Sequence, residues 1–454
     1  MKPSTETMTR RSFLIKSALT TGIATSAGTL LEACGGGSGG GSSPSQVTLT
    51  FADWMAKGED HPILNDFMKA NPTIKVVDQT LPGATYDQAL KPRLIAGNGP
   101  DVMLFMDSQY IPFVQQGWLA DVTDQAGSKV QSQSQDLNNH YLLNGKIYGA
   151  MVNGNFSDQP VFYNKKTFAK LGLTIPTTLD QFYALCEKLK SSGTDALVFG
   201  GKDVWPISAL TSGYEQASKA AKYGPTTNTD LLLAKGQASI EDIYGASWRF
   251  FADLMQKGDI SKASGTLTYD QSVQYFVDGK AALLPQGPWV PGLDAVKQAD
   301  PASFALGSFS FPLPKYQNKV VTSLGPDRSI GVYAHSKHPQ EAKQLYNFFL
   351  QQENLKKYLE GQNLYSIMPG VNPAMDASMS SYYKDHGDTS LYDVLISQAT
   401  QDPHAAKVSI PSGFSDALGQ VYPNILAGAG YSEELHRVQD AFNRVKSQII
   451  VTNG

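Results

Sequence analysis

The stretch from Val47 to Asp107 decides the fold. Val47-Thr48-Leu49-Thr50-Phe51 reads as a strand, with Trp54 just beyond it. Pro62 to Ala70 reads as a helix, because Ile63, Leu64, Phe67 and Met68 fall on one face. Asn71-Pro72 stops it, and Ile74 to Val77 gives a second strand. Tyr86 to Ile95 is a second helix that Pro92 interrupts or bends. After the turn Gly97-Asn98-Gly99-Pro100 comes a third strand, Val102 to Phe105, flanked by Asp101 and Asp107. Strand and helix alternate, the pattern of a parallel α/β sheet. The rest continues in kind. Strands are expected at 161–163, 281–284, 304–311 and 329–334, and helices at 178–190, 244–256, 339–350 and 433–449.

Outward from that stretch, the first residues read as an address. Arg10-Arg11 with Phe13-Leu14 resembles a twin-arginine export motif, and a diluted apolar run follows. Leu31-Glu32-Ala33-Cys34 resembles a bacterial lipobox, so residues 1–33 are expected to be removed and Cys34 lipidated. Residues 34–45, Gly- and Ser-rich from Gly35 to Ser43, form a flexible tether. The body is thus expected to be held at a membrane surface while working in water.

The chain has 454 residues, a prior of two or three domains. A hydrophobic share of 41% excludes wholesale disorder. A net charge of −4 with no basic run argues against a nucleic-acid partner. Two cysteines exclude a disulfide scaffold and a four-cysteine zinc site. Cys186 follows Thr178 to Gln181, which reads as a capping box, and shares a helical stripe with Phe182, Leu185 and Leu189, so it reads as a core thiol.

Catalytic motifs are missing. The formal nucleophile elbow Gly36-Gly37-Ser38-Gly39-Gly40 lies in the tether. Gly201-Lys202-Asp203 lacks the Ser or Thr that a phosphate loop requires, and Gly97-Asn98-Gly99 lacks the third glycine of a dinucleotide fingerprint. His335 and His338 straddle a helix start without further metal ligands nearby. What stands out is aromatic and polar residues beyond strand ends, where open α/β sheets bind ligands. Trp54 follows the first strand, and Asp107-Ser108-Gln109 the third. Trp205-Pro206 follows the apolar run from Ala196 to Gly200, and Gly287-Pro288-Trp289 the run from Ala281 to Leu284. A flat ring stacks on the C–H face of a sugar while Asp, Asn and Gln meet its hydroxyls. Core packing is the competing reading for each tryptophan, and for Trp248, inside a helical stripe, it is preferred.

Further pieces carry a resemblance. Gly99-Pro100-Asp101-Val102 leads to Gly117-Trp118-Leu119-Ala120-Asp121, and Gly145-Lys146-Ile147-Tyr148-Gly149 precedes Tyr163-Asn164-Lys165. Leu171-Gly172-Leu173 leads to Pro176-Thr177-Thr178, and Gly279-Lys280-Ala281-Ala282 to Gly287-Pro288-Trp289. In this order the chain, from about Val47 to its end, resembles the extracellular solute-binding proteins of ABC importers, in the maltose- and glycerol-phosphate-binding branch. The resemblance implies a two-lobe, Venus-flytrap α/β fold, each lobe a mainly parallel sheet flanked by helices. Lobe I would be 46–152 plus 320–369, and lobe II 153–319 plus 370–454. It implies a sugar held in the cleft by Trp289, Trp205, Asp107, Ser108 and Gln109, to which the strand-end reading adds Trp54. Asn153 and Asn155 in the first crossing, Asp327 and Arg328 near another, and Tyr365 and Phe414 complete that set. Turn, surface ion pair and core stay open as plainer roles for these last six. Phe105 stands where the maltose-binding protein has a tryptophan, which argues against maltose. The implied role is capture by hinge closure and delivery to ABC permease subunits, by a monomer without cofactor, metal or catalysis. Its implied place is the outer face of the cytoplasmic membrane, held by a lipid anchor. A glycerol-phosphate receptor, a carbohydrate-active enzyme and a non-transport sensory surface protein are the alternatives.

Overall fold

In the computed structural model the described residues are 46–54, 62–81, 86–131, 141–156, 159–225, 227–287, 289–316, 319–362, 392–396, 407–409 and 411–452. The address, Cys34, the tether and Tyr365 lie outside them. The opening alternation forms as the sequence dictates. Strands β1 (Val47–Ala52), β2 (Ile74–Asp78) and β3 (Val102–Met106) alternate with helices Pro62–Ala70 and Tyr86–Ile95. Pro92 sits inside the second helix without ending it. β1 pairs in parallel with both β2 and β3.

A short hairpin, β4 (Leu142–Leu143) and β5 (Lys146–Ile147), precedes β6 (Ala150–Phe156). The chain then moves almost directly into β7 (Pro160–Asn164), which belongs to a second sheet. That sheet adds β8 (Asp195–Leu197), β9 (Ala281–Pro285) and β10 (Leu306–Ser310), in the order β10-β7-β9-β8. β11 (Lys315–Tyr316), β12 (Lys319–Val332) and β13 (Tyr392–Ile396) return to the first sheet. Its main order is β11-β12-β3-β1-β2, with β6 and β13 also paired to β12. β14 (Lys407–Ser409) and β15 (Ile450–Thr452) form a separate antiparallel pair.

Each sheet has its own core, so the body has two lobes. Around the first, Leu49, Phe51, Leu104, Phe105, Ile330 and Val332 pack with Leu345 and Phe349 of helix Pro339–Phe349. The second sheet is buried on both faces, with apolar side chains shared between two core clusters. Val161, Ala282 and Leu283 join the side that holds Phe182, Leu185, Trp248 and Phe251. Phe162, Ala281 and Leu284 join the side with Phe276, Val290 and Phe304. Two-sided burial explains why 281–284 is an unbroken apolar run. Cys186 is fully buried there, and burial pushes its thiol far above the ordinary range, as a core thiol requires.

Three expectations need correction. The sheets are mixed rather than mainly parallel: β12 runs antiparallel to β3, β6 and β11, and β7 antiparallel to β9 and β10. Apolar periodicity fixes which face a strand buries, not its direction, and strict strand–helix alternation holds only through β3. Second, the strand expected at 329–334 starts at Lys319: β12 runs through Gly325-Pro326-Asp327 and Arg328, with register shifts against β6 on both sides of Arg328. A proline's missing donor costs little where the ladder is already broken. Third, Thr178 caps helix Leu179–Ser191 by accepting the Gln181 N–H at 3.2 Å, but the Gln181 side chain accepts from Thr177 rather than closing the box.

Candidate functional site

The site builds from strand ends. In the first sheet β3 ends at Met106, and Asp107 follows, half-buried. Asp107 Oδ1 accepts hydrogen bonds from the Tyr141 hydroxyl at 2.7 Å and from Ser329 Oγ at 2.9 Å. Tyr141 is fully buried; burial and then the Asp107 charge push its hydroxyl well above the usual range, so it stays a donor. Ser108 faces water, whereas Gln109 is buried.

Beside them β12 carries Asp327 and Arg328. The backbone register sets Arg328 opposite Met106 on one side and Asn153 on the other. Asn153 Nδ2 donates to Asp327 Oδ2 at 3.0 Å, and Arg328 Nε lies 3.6 Å from the same oxygen. The Arg328 guanidinium sits 5.4 Å from the Trp54 ring centre, and Trp54 in turn leans on Tyr86 at 4.8 Å. Arg328 is only 7% exposed, so this ion pair is buried rather than a surface turn. Tyr358, raised first by burial and then by Asp53, has its hydroxyl eased back by Arg328. Asn153-Gly154-Asn155 is part of strand β6, not a turn, and the Asn155 backbone pairs with Gly325.

The second lobe contributes rings. Trp205 opens a short turn of helix and is 39% exposed, where a tryptophan is highly buried on average. Its ring centre lies 4.9 Å from that of Tyr269 and 6.2 Å from that of Trp289. Trp289 Nε1–H donates to the Tyr269 hydroxyl at 2.8 Å. Trp289 is half-buried and packs against the core of the first lobe as well as that of the second. Its ring folds back over Gly287, where a Cβ would collide with it. Val204, just before Trp205, has φ +65° and ψ −55°. A β-branched residue there costs about 1–3 kcal/mol, the strain that binding sites tend to hold.

Three of these side chains, and Gln286 just beyond β9, are left with buried polar atoms that lack a hydrogen-bond partner among the described residues. They are Gln109 Oε1, Asn153 Oδ1, Gln286 Nε2, and Nε and Nη1 of Arg328. Each such atom costs about 1–3 kcal/mol, so a ligand or ordered water that supplied partners would stabilise the arrangement. No group of three His, Cys, Asp or Glu side chains able to hold a metal occurs among the described residues.

The structure thus brings together Asp107, Gln109, Asn153, Asp327, Arg328 and Trp54 on one lobe, and Trp205 and Trp289 on the other. Phe414 does not join them: it is fully buried in the second core, 5.2 Å from Phe442, because its helix Ser412–Gly419 packs its apolar face inward. Tyr269 and Gln286 were not expected. For Tyr269 a signal existed: Thr268 and Gln271 form a reciprocal capping box, which sets Tyr269 at the mouth of helix Tyr269–Val277.

The family profile described as bacterial extracellular solute-binding protein matches residues 48–356. The chain belongs to this family. Membership makes this solute-binding protein an exported one, and the relatives it resembles are binding proteins. The multiple sugar-binding protein of Streptococcus mutans is 26% identical over 340 residues, 73% of this chain and 77% of that one. The diacetylchitobiose binding protein DasA of Streptomyces coelicolor is 28% identical over 306 residues, 66% of each chain. Among solved structures, RafE in complex with raffinose is similar with a TM-score of 0.67 at 21% identity, covering 88% of this chain and all of that one. A chitin oligosaccharide binding protein gives 0.69 at 20% identity, covering 89% and 100%. These last two likenesses speak for the two-lobe fold.

Proposed function

We propose that this solute-binding protein captures a sugar between its lobes and hands it to the permease of an ABC importer. The observation that carries the reading is Trp289. It belongs to the second lobe yet packs on the cores of both, and it stands with an exposed Trp205 at the strand ends. Rings offer a sugar's C–H face area without directionality, while Asn153, Gln109, Asp327 and Arg328 offer hydrogen bonds that fix its orientation. The names of the relatives, which speak of multiple sugars, diacetylchitobiose and raffinose, support an oligosaccharide. Closure is a lobe rotation about the crossings, with contacts from both lobes favouring the closed state. The register shifts of β12 against β6 beside Arg328 are where such bending meets least resistance. The protein acts as a monomer without catalysis, tethered by a lipid on Cys34.

A phosphorylated ligand is the second reading, since Arg328 has unpaired N–H groups. Asp327 beside it already offsets its charge, which favours a neutral ligand. The test is a thermal-shift screen of the purified protein with raffinose, stachyose, diacetylchitobiose, monosaccharides and sugar phosphates. A sugar at 100 times its dissociation constant stabilises by about 2.7 kcal/mol, a visible rise in melting point. A flat response to every sugar from folded protein overturns the proposal, and a response to the phosphates alone selects the second reading.

A further inference from the structure

Trp289 has two ways to meet a ligand: through the faces of its ring or through its indole N–H. The structure removes the second. Its Nε1–H is spent on the Tyr269 hydroxyl at 2.8 Å. Tyr269 is itself held from three directions. Its backbone N–H donates to Asp203 Oδ2 at 2.7 Å. Its backbone presses on Gly200 so closely that any Cβ at Gly200 would collide with it. Its ring lies against Trp205, centre to centre 4.9 Å. The loop from Gly200 to Trp205, strained at Val204, is therefore latched to the start of helix Tyr269–Val277, and that helix start is latched to Trp289. Burial keeps the Tyr269 hydroxyl protonated far above neutral pH, so the acceptor at Trp289 is a neutral hydroxyl at every working pH.

We infer that Tyr269 is a positioning residue for the ligand platform. It fixes the plane of the Trp289 indole, consumes its only donor, and buttresses Trp205, so that the ligand meets ring faces and not a polar edge. The inference deepens the sugar-binding reading and rests on it for its consequence, but the latch can be tested without a ligand. Its consequence is selectivity for ligands with an apolar C–H face.

The experiment uses the whole protein labelled with 15N at tryptophan, whose five indole N–H signals are countable. Trp289→Phe identifies the Trp289 signal by its loss. In Tyr269→Phe that signal shifts and exchanges with water about tenfold faster, while the Trp248 signal stays put. A Trp289 signal unmoved by Tyr269→Phe overturns the latch, whether or not any sugar binds. In titrations with raffinose and diacetylchitobiose, Tyr269→Phe weakens the binding of whichever one binds by about fivefold at an unchanged melting point. In the Trp289→Phe background the same change has no further effect. An equal loss in both backgrounds means Tyr269 acts independently of Trp289 and overturns the positioning role. Should Tyr269→Phe lower the melting point, Tyr269→Leu, which also offers the indole no acceptor, must show the same dependence on Trp289.

Discussion

The ends of the two sheets are built from different chemistry. At the first, Asp107, Asn153, Asp327 and Arg328 lie in a mesh of hydrogen bonds and a buried ion pair, with a few atoms left unpaired. At the second, the rings of Trp205, Tyr269 and Trp289 lean on one another, and the Trp289 indole N–H is spent within the cluster on the Tyr269 hydroxyl. In the proposed site the contrast separates two tasks. Directional groups choose which hydroxyl pattern is accepted, and they are expensive to leave unmatched. Rings supply area and tolerate many sugars. A binding protein that divides these tasks between lobes gains little from either until both are engaged.

The comparison breaks most visibly at Arg328. Arg328→Met strands the Asp327 carboxylate in a buried place, and denaturant unfolding should register a loss of about 3 kcal/mol. Adding Asp327→Asn should restore part of it. A variant as stable as the parent would mean that the mesh is not structural. On the ring side the effect should fall on binding instead: Trp289→Ala is expected to weaken sugar binding about 100-fold, roughly 2.7 kcal/mol, as read by calorimetry. Its unfolding should change far less than that of Trp248→Ala, which empties a core and costs about 3–5 kcal/mol. Similar stability losses in both tryptophan variants would erase the distinction between site and core. Smallest is a titration on the polar lobe. Burial raises the Asp121 carboxyl, but Thr123 and Lys146 outweigh that and hold it down at about 2. Its contribution is full above its ordinary value of 3.8 and is lost as pH falls through about 2. Asp121→Asn should therefore lower the melting point modestly at neutral pH and flatten its fall over that acid range, so that parent and variant converge as pH approaches about 2.

Much of this was written locally in the chain. β1 to β3 and their helices, the two-sided burial of 281–284, the core place of Cys186 and Trp248, and the exposed stance of Trp205 all follow from periodicity and punctuation. What was not legible is whatever two distant segments decide together. The direction of β7 against β9 is one such case, and the passage of β12 through Gly325-Pro326-Asp327 is another, since its partners make up for poor local propensity. Phe414 is the same lesson in reverse: an aromatic residue in a mixed helix could serve either surface, and only packing against Phe442 assigns it. The partnership of Tyr269 with Trp289 joins a helix start to a strand end and has no sequence signature at all.

One feature of the topology also sets a timetable. β12 is the strand on which β3, β6, β11 and β13 all pair, and it meets β3 across more than two hundred residues of intervening chain. As the polypeptide emerges from N- to C-terminus, β1, β2 and β3 are present early but cannot be completed. The whole second sheet, from Pro160 to Ser310, is translated while they wait. All strands of the second sheet thus precede the last strands of the first along the chain. β3 meanwhile presents an open edge, a segment for which a chaperone during export would have reason to compete.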